Sequence, residues 1–136
     1  MKKLREKLRK CKSGKLIIPK KKPKNFEFAQ GLWKSNKGIE DIKTKEPINI
    51  YFDIKKSGNG TMKLYLTKSK YNCKAKIDLT FNNSELIIKQ SENAKCEKKN
   101  KQYNSYIFSC SSIGNEAAIC NAKGSNTFSF ELIKIK

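Results

Sequence analysis

The sequence predicts an all-β domain of about eight short antiparallel strands, forming a small barrel or a flattened sandwich behind a basic N-terminal tail. Two observations predict this fold: apolar and polar residues alternate from Phe26 onward, and turn signals separate the alternating segments at regular spacing. The alternation indicates that one face of the sheet is buried and the other faces water. The 136 residues suffice for one domain, which we place at residues 26–136.

Residues 1–25 differ from the rest in pattern. Apolar residues at helical spacing predict a short basic helix over 2–12, and two prolines with a lysine run predict an extended linker over 12–25. This flexible tail is interpreted either as a solubilising segment or as a contact for nucleic acid or an anionic membrane. The candidate contact residues are Lys2, Lys3, Arg5, Arg9, Lys20, Lys21 and Lys22.

The charge is strongly basic, with 31 Lys and Arg against 12 Asp and Glu. Twelve of the basic residues and one acid lie in residues 1–24, so most of the excess sits in the tail. Only Arg5 and Arg9 are arginines. Because arginine makes bidentate phosphate contacts and lysine acts as a point charge, this composition weakens the case for nucleic-acid recognition.

The first predicted strand lies near Trp33. The segment Ile48–Lys56 then alternates cleanly, and the glycines of Ser57–Gly60 favour a hairpin turn because glycine tolerates positive φ. Thr61–Thr67 continues the alternation. Cys73–Phe81 is the cleanest strand, with apolar residues at every second position and charged or polar residues between them.

The second half of the domain follows the same plan. A turn is predicted at Asn82–Ser84, a strand at Glu85–Ser91 and a polar loop at Lys95–Lys101. A hairpin at Tyr103–Asn121 and a closing strand at Thr127–Ile135 complete it.

Catalytic groups are scarce. The sequence has no histidine, which excludes Ser-His, Cys-His and His-metal arrangements. It has no glycine loop for phosphate and no dinucleotide fingerprint, and its acids are scattered along the strands. We therefore predict a protein that is not an enzyme and that uses no cofactor or metal.

The five cysteines suggest disulfides better than a metal site. No two are spaced like zinc ligands. Cys110 and Cys120 flank a turn symmetrically and are predicted to bridge across two strands. Cys73 would then pair with Cys96, which is the simplest of the three pairings that these four cysteines allow. The alternative is that all four are reduced and act as small apolar core residues.

The cysteines and the start of the chain point to different compartments. The charged beginning lacks the apolar region of a signal peptide, and no run is long enough to span a membrane, so the expectation at face value is the cytoplasm. Two disulfides favour an oxidising, extracytoplasmic compartment instead.

Large apolar side chains are predicted to fill the core, namely Trp33, Phe52, Ile77, Phe81, Phe108, Phe128 and Phe130. "GLW" at Gly31–Trp33 is similar to the GxW motif of lipocalin-type barrels, whose up-and-down topology is one form of the predicted fold. So many rings predict a filled interior, which favours a binding surface over a roomy ligand pocket.

The motifs together resemble one family. Trp33-Lys34-Ser35 is followed by Glu46–Thr61, which runs into a glycine turn, and then by the four cysteines in the order described above. "ELII" at Glu85–Ile88 lies between Cys73 and Cys96, and Tyr103 lies between Cys96 and Cys110. "FSC" ends at Cys110 and "AIC" ends at Cys120. Over roughly residues 26–136 this resembles the C-terminal β module of bacterial Srf-type virulence-factor proteins. The resemblance implies a small all-β domain without assigned activity and without catalytic residues, usually appended to a larger protein. The chain departs from it in standing behind a basic tail and in its lysine content.

Three functional hypotheses follow. The preferred one is a non-enzymatic, virulence-associated bacterial interaction module that binds a protein or an envelope component through an exposed strand face or loop. The alternative is binding of nucleic acid or an anionic membrane through the lysine-rich tail and faces. The second alternative is a lipocalin-like carrier of a small ligand.

Overall fold

The protein is a closed antiparallel β-barrel with a small additional hairpin. The structure is a computed structural model that describes residues 25–36, 39–41, 43–82, 84–98, 101–113 and 117–135. The predicted tail helix, the linker and the seven candidate tail residues lie outside the described residues, as does Cys11.

Ten strands, β1 to β10, follow a short 3-10 helix at Glu27–Ala29. In chain order the strands are Gly31–Ser35, Ile48–Ile54, Asn59–Leu66, Tyr71–Asn82, Glu85–Gln90, Ala94–Cys96, Gln102–Tyr103, Ile107–Ile113, Ala117–Lys123 and Thr127–Lys134.

Eight of these strands form the barrel. Each barrel strand pairs antiparallel with the next one along the chain, with β5 pairing to β8, and β10 returns to pair with β1. The predicted all-β fold is therefore confirmed, as an up-and-down barrel rather than a sandwich. The closed ring leaves β1 to β5 and β8 to β10 without a free sheet edge.

Strands β6 and β7 form the additional hairpin between β5 and β8. The sequence predicted a polar loop over Lys95–Lys101, but Ala94–Cys96 pairs with the start of β4 and also with Gln102–Tyr103. The segment is polar because one face of this hairpin is exposed. Strands β6 and β7 have only three and two residues, which is too short for an alternation of apolar and polar residues to be seen in the sequence. The pairing of β6 with β4 places Cys73 opposite Cys96, where the disulfide joins the two strands.

The alternation in the sequence places one face of each barrel strand inside. In β2, residues Ile48, Ile50, Phe52 and Ile54 are buried, and in β4 every second residue from Cys73 to Leu79 is buried. A strand points successive side chains to opposite faces, so this period-2 pattern fixes which face forms the core.

One end of the barrel is closed by the 3-10 helix and the residues around it. The Trp33 side chain is buried, and its Nε1–H donates to the Ala29 carbonyl at 2.7 Å. The Phe28 ring packs edge-on against Phe81, with centroids 6.4 Å apart. Gly58 adopts φ +90° in the β2–β3 turn, where a Cβ would come within 2.6 Å of the Phe26 ring. The predicted glycine turn is thus required both by backbone conformation and by space.

The middle of the barrel is filled by three rings. Phe52 and Phe108 meet edge-on at 5.2 Å, and Phe130 lies 5.9 Å from Phe108 and 6.4 Å from Phe52. Aromatic pairs at these distances and tilts add to the stabilisation from burial. The rings form a plug between the closed end and the opposite, open end.

Two cross-strand disulfides complete the frame. Cys73 stands opposite Cys96 between β4 and β6, and Cys110 stands opposite Cys120 between β8 and β9. The sulfur atoms of both predicted pairs lie at bonding distance, 2.01 Å and 2.06 Å. Cys110 and Cys120 are completely buried, so the second disulfide also packs in the barrel core.

Candidate functional site

The open end of the barrel contains a cavity of about 570 Å³. Its deeper wall is apolar and comes from β2, β3, β8 and β10, through Ile48, Ile50, Met62, Leu64, Phe108 and Phe128. Phe108 belongs to the ring plug, so the plug forms the floor of the cavity. A volume of roughly 300–1,000 Å³ with mostly apolar walls is the usual size of a small-molecule site.

A polar rim surrounds this apolar interior, and we call the whole feature the mouth cavity. The β1–β2 loop contributes Asp41 and Thr44, the β7 region contributes Lys101 and Tyr103, and the β9–β10 turn contributes Asn126. At this end of the barrel β1 and β2 diverge, and their pairing stops at Lys34 opposite Tyr51. Beyond that point the Ile50 N–H donates to the side-chain oxygen of Ser35 at 2.9 Å. This hydrogen bond satisfies a donor that the diverging strands would otherwise leave unpaired.

Asp41 holds one side of the rim together. Its Oδ1 accepts hydrogen bonds from the backbone N–H groups of Lys43 at 2.9 Å and Thr44 at 3.0 Å, which fixes the turn of the β1–β2 loop. Its Oδ2 accepts from the Tyr103 hydroxyl at 2.5 Å. The Asp41–Tyr103 contact therefore joins the β1–β2 loop to the β6–β7 hairpin across the barrel mouth.

These contacts change the pKa values of both partners. Burial alone would raise the pKa of Asp41, but the hydrogen bonds from Tyr103, Thr44 and Lys43 and the charge of Lys101 outweigh it and lower the pKa to about 2. Burial, followed by the bond to the Asp41 carboxylate, raises the pKa of the Tyr103 hydroxyl. At neutral pH the pair is thus an ionised acceptor and a protonated donor.

Glu46 and Lys101 extend this polar group. Glu46 is buried, with its Oε1 accepting from the Ser69 hydroxyl at 2.8 Å and its Oε2 from the Ser69 backbone N–H. Burial would raise the pKa of Glu46, but the hydrogen bonds from Ser69 outweigh it and lower the pKa. A hydrogen bond with Tyr71, and then attraction to Asp41 and Glu46, raise the pKa of Lys101 despite its partial burial. Loops from three parts of the chain are therefore held together beside the cavity.

The other side of the rim is held by Tyr106 and Gln90. The Tyr106 backbone N–H donates to Gln90 Oε1 at 2.9 Å, and the Tyr106 hydroxyl donates to Asn126 Oδ1 and lies 3.1 Å from Ser125 Oγ. The Tyr106 ring also packs against Phe128 at 5.3 Å. Both sides of the mouth are thus fixed before any ligand arrives, which lowers the entropic cost of binding.

Replacing Tyr103 with phenylalanine is expected to raise the pKa of Asp41 from about 2 towards its ordinary value of 3.8, because the strongest donor to Oδ2 is lost. A lowered carboxylate pKa stabilises the fold above the unfolded pKa, and this stabilisation is lost as pH falls from about 4 to about 2. The Tyr103→Phe variant should show less of this loss. An NMR titration of the Asp41 carboxyl carbon measures the pKa directly. Tyr65→Phe on the outer face of β3 is the control, and an unchanged Asp41 pKa in Tyr103→Phe would contradict the assignment.

The lining of the mouth cavity combines the apolar wall with the polar groups of the rim. Two carboxylates line it, and that of Asp41 accepts three hydrogen bonds, whereas Glu40 lies beside it on the β1–β2 loop. Within the described ranges, no cluster of three or more His, Cys, Asp or Glu side chains is placed to hold a metal ion. The same part of the chain contains no helix of the length and hydropathy needed to cross a membrane.

The predicted core residues lie at different levels along the barrel axis. Trp33, Ile77 and Phe81 lie towards the closed end, whereas Phe128 lines the mouth cavity. Phe81 and Phe128 are both only partly buried. The expectation of a filled interior therefore holds for the middle of the barrel and is wrong for its open end. The reason is that the rings are spread along the axis, so three of them form the central plug and too few remain to fill the mouth.

The rim residues were not singled out from the sequence. Asp41 and Tyr103 are 62 residues apart, and each is of a type that is common on protein surfaces. No local spacing links them, because their meeting depends on the barrel topology that brings the β1–β2 loop and the β6–β7 hairpin to one end. The nearest signal was the pair of tyrosines, Tyr103 and Tyr106, at the start of the predicted hairpin Tyr103–Asn121.

Comparisons of this chain with protein-family models, with curated proteins and with solved structures returned no match.

Proposed function

We propose that the protein is a non-enzymatic binding domain whose mouth cavity takes a small, mostly apolar ligand with a polar end, in the manner of lipocalin-like carriers. The observation that carries this proposal is the cavity of about 570 Å³ above a closed ring plug, with apolar walls below and hydrogen-bonding groups at the rim. An apolar body gains most from the deeper wall, since its burial removes apolar surface from water.

The rim supports a ligand with a polar end. Asp41 stays ionised, Lys101 stays protonated, and the Gln102 and Asn104 side chains lie at the entrance. Polar groups at such an entrance fix the orientation of a ligand whose apolar part supplies the affinity. The ligand class is therefore an amphiphile small enough for one barrel.

The compartment and the biological setting are part of the same proposal. Two disulfides are compatible with an oxidising compartment, where a secreted or envelope-associated carrier meets lipophilic ligands. The virulence association and the bacterial origin rest on the sequence resemblance alone and stay predictions.

The proposal is tested by filling the cavity. Leu64 lines the mouth cavity, and Leu64→Trp places an indole inside it, whereas Tyr65→Trp places the same ring on the outer face of the same strand. The probe is N-phenyl-1-naphthylamine, which is uncharged and so is not drawn to the basic surface. We expect 1:1 binding by the wild-type full chain and by Tyr65→Trp, and a loss of affinity of at least about tenfold in Leu64→Trp.

A second variant tests the proposal in case Leu64→Trp does not fold. Thr44 is exposed at the entrance, so Thr44→Trp narrows the mouth without repacking the core, and it should also weaken binding. Thermal unfolding of each variant shows whether the fold is intact. Equal dye affinity in all four proteins, or no binding by the wild type, would overturn the proposal.

A further inference from the structure

A row of lysines crosses the outer surface of the barrel on the β1–β4 side. In the sheet register, Lys34 of β1 stands opposite Tyr51 of β2, Tyr51 opposite Lys63 of β3, and Lys63 opposite Lys74 of β4. Lys74 in turn stands opposite Lys95 of β6. We call these five residues the basic row. Opposite residues lie about 5 Å apart, so the row extends about 20 Å around the barrel.

The basic row is electrostatically unfavourable in the protein alone. Lys63 faces Lys74, and Lys74 faces Lys95, where directly opposed like charges destabilise a sheet. Lys74 and Lys95 are exposed. In the described part of the chain, none of the four lysines forms a salt bridge. Two acids are close in sequence to the row: Asp53 lies two residues after Tyr51 in β2, and Glu97 lies two residues after Lys95. An anion laid along the row would relieve this repulsion.

We propose that the basic row binds a linear acidic polysaccharide, a component of cell envelopes. The site is separate from the mouth cavity, so this inference does not depend on ligand binding in the barrel. A flexible chain with charges along its length can follow the curved row and meet all four ammonium groups in turn. Lysine suits this task because it acts as a point charge that needs no fixed planar geometry.

Two other polyanions fit the basic row less well. A closed barrel is convex across its strands, so a flat anionic membrane would touch only two or three neighbouring lysines. A single-stranded nucleic acid gains affinity from bases stacked on exposed aromatic rings. The ring of Tyr51 is already engaged, with the Lys63 and Lys34 ammonium groups over it at 5.0 Å and 5.9 Å from its centroid.

The test compares three double variants of the full chain, each of which removes two positive charges. Lys63→Gln with Lys74→Gln removes the centre of the basic row. Lys89→Gln with Lys123→Gln removes two exposed lysines that flank Ile107 on β5 and β9. Lys20→Gln with Lys21→Gln removes two charges from the N-terminal segment. The probe is a fluorescently labelled, size-defined oligomer of mannuronic acid, and its binding is measured by anisotropy over a range of salt concentrations.

We expect the row variant to bind the oligomer at least about tenfold more weakly and to show a shallower salt dependence, because fewer counterions are released. The two control variants should lose less than about threefold. Equal losses in all three variants would overturn the proposal, since binding would then follow total charge. It would also be overturned if the wild type failed to bind the oligomer at about 0.15 M salt. Tighter, row-dependent binding of an oligothymidylate or of phosphatidylglycerol vesicles would replace the polysaccharide by a nucleic acid or a membrane.

Discussion

Replacing Cys73, Cys96, Cys110 and Cys120 together with alanine is expected to lower the free energy of unfolding by about 6 kcal/mol. Each disulfide restricts the unfolded chain. The bridge with a sequence separation of 23 contributes about 3.4 kcal/mol by loop entropy, and the bridge with a separation of 10 contributes about 2.7 kcal/mol. A domain of this size has roughly 5–15 kcal/mol of stability in total, so the fourfold variant is expected to be largely unfolded.

Guanidinium unfolding of the oxidised wild type, of each pairwise variant and of the fourfold variant measures these losses. The pairwise variants serve as controls for each other, because loop entropy alone makes the loss of the Cys73–Cys96 bridge the larger one. Cys73, Cys110 and Cys120 are fully buried and Cys96 is partly buried, so both pairwise replacements add a packing loss, which is somewhat larger for Cys110 and Cys120 and reduces this difference. A fourfold variant as stable as the wild type would show that the disulfides do not hold the barrel together.

Phe108→Ala is expected to lower the free energy of unfolding by about 3–5 kcal/mol, because it removes the central ring of the plug. Phe108 is 1% exposed and packs against Phe52, Phe130 and Tyr106. The neighbouring residue provides a matched control: Ile107 lies on the outer face of the same strand and is 45% exposed, so Ile107→Ala should change stability by no more than about 0.5 kcal/mol.

Urea unfolding of both variants gives the two values. If Phe108→Ala does not fold, Phe108→Leu replaces it in the measurement. Leucine keeps most of the side-chain volume, so this variant should lower the free energy of unfolding by about 1–2 kcal/mol. Equal losses at positions 107 and 108 would contradict the assignment of Phe108 to the plug. The plug forms the floor of the mouth cavity, so the proposed ligand binding depends on it.

The barrel strands could be predicted because each carries its own signal. In β2 and β4, apolar side chains occupy every second position, and this local pattern is set by the same pleat that buries one face. The pairing of Cys110 with Cys120 was also accessible, since a hairpin places residues that are equidistant from its turn opposite one another. Closure into a barrel, rather than folding into two sheets, depends on the β1–β10 pairing between the two ends of the domain, which no local pattern shows.

The mouth cavity and the basic row could not be predicted, for related reasons. Whether inward rings fill a barrel depends on their height along its axis, and Phe81 and Phe128 lie towards opposite ends. The contact between Asp41 and Tyr103 joins the β1–β2 loop to the β6–β7 hairpin at the mouth. The basic row depends on the register of five strands, in which Lys34 and Lys95 belong to one line although they lie 61 positions apart in the sequence. Register and closure are properties of the whole sheet.

Native mass spectrometry of the full chain, purified without denaturation from the cells that produce it, tests the mouth cavity most directly. We expect the wild-type protein to carry a single additional small-molecule mass that organic solvent releases, and we expect Leu64→Trp to carry much less of it. A protein that has its bare mass in both forms, and that takes up no N-phenyl-1-naphthylamine when the dye is added, would contradict the assignment of this barrel as a ligand carrier.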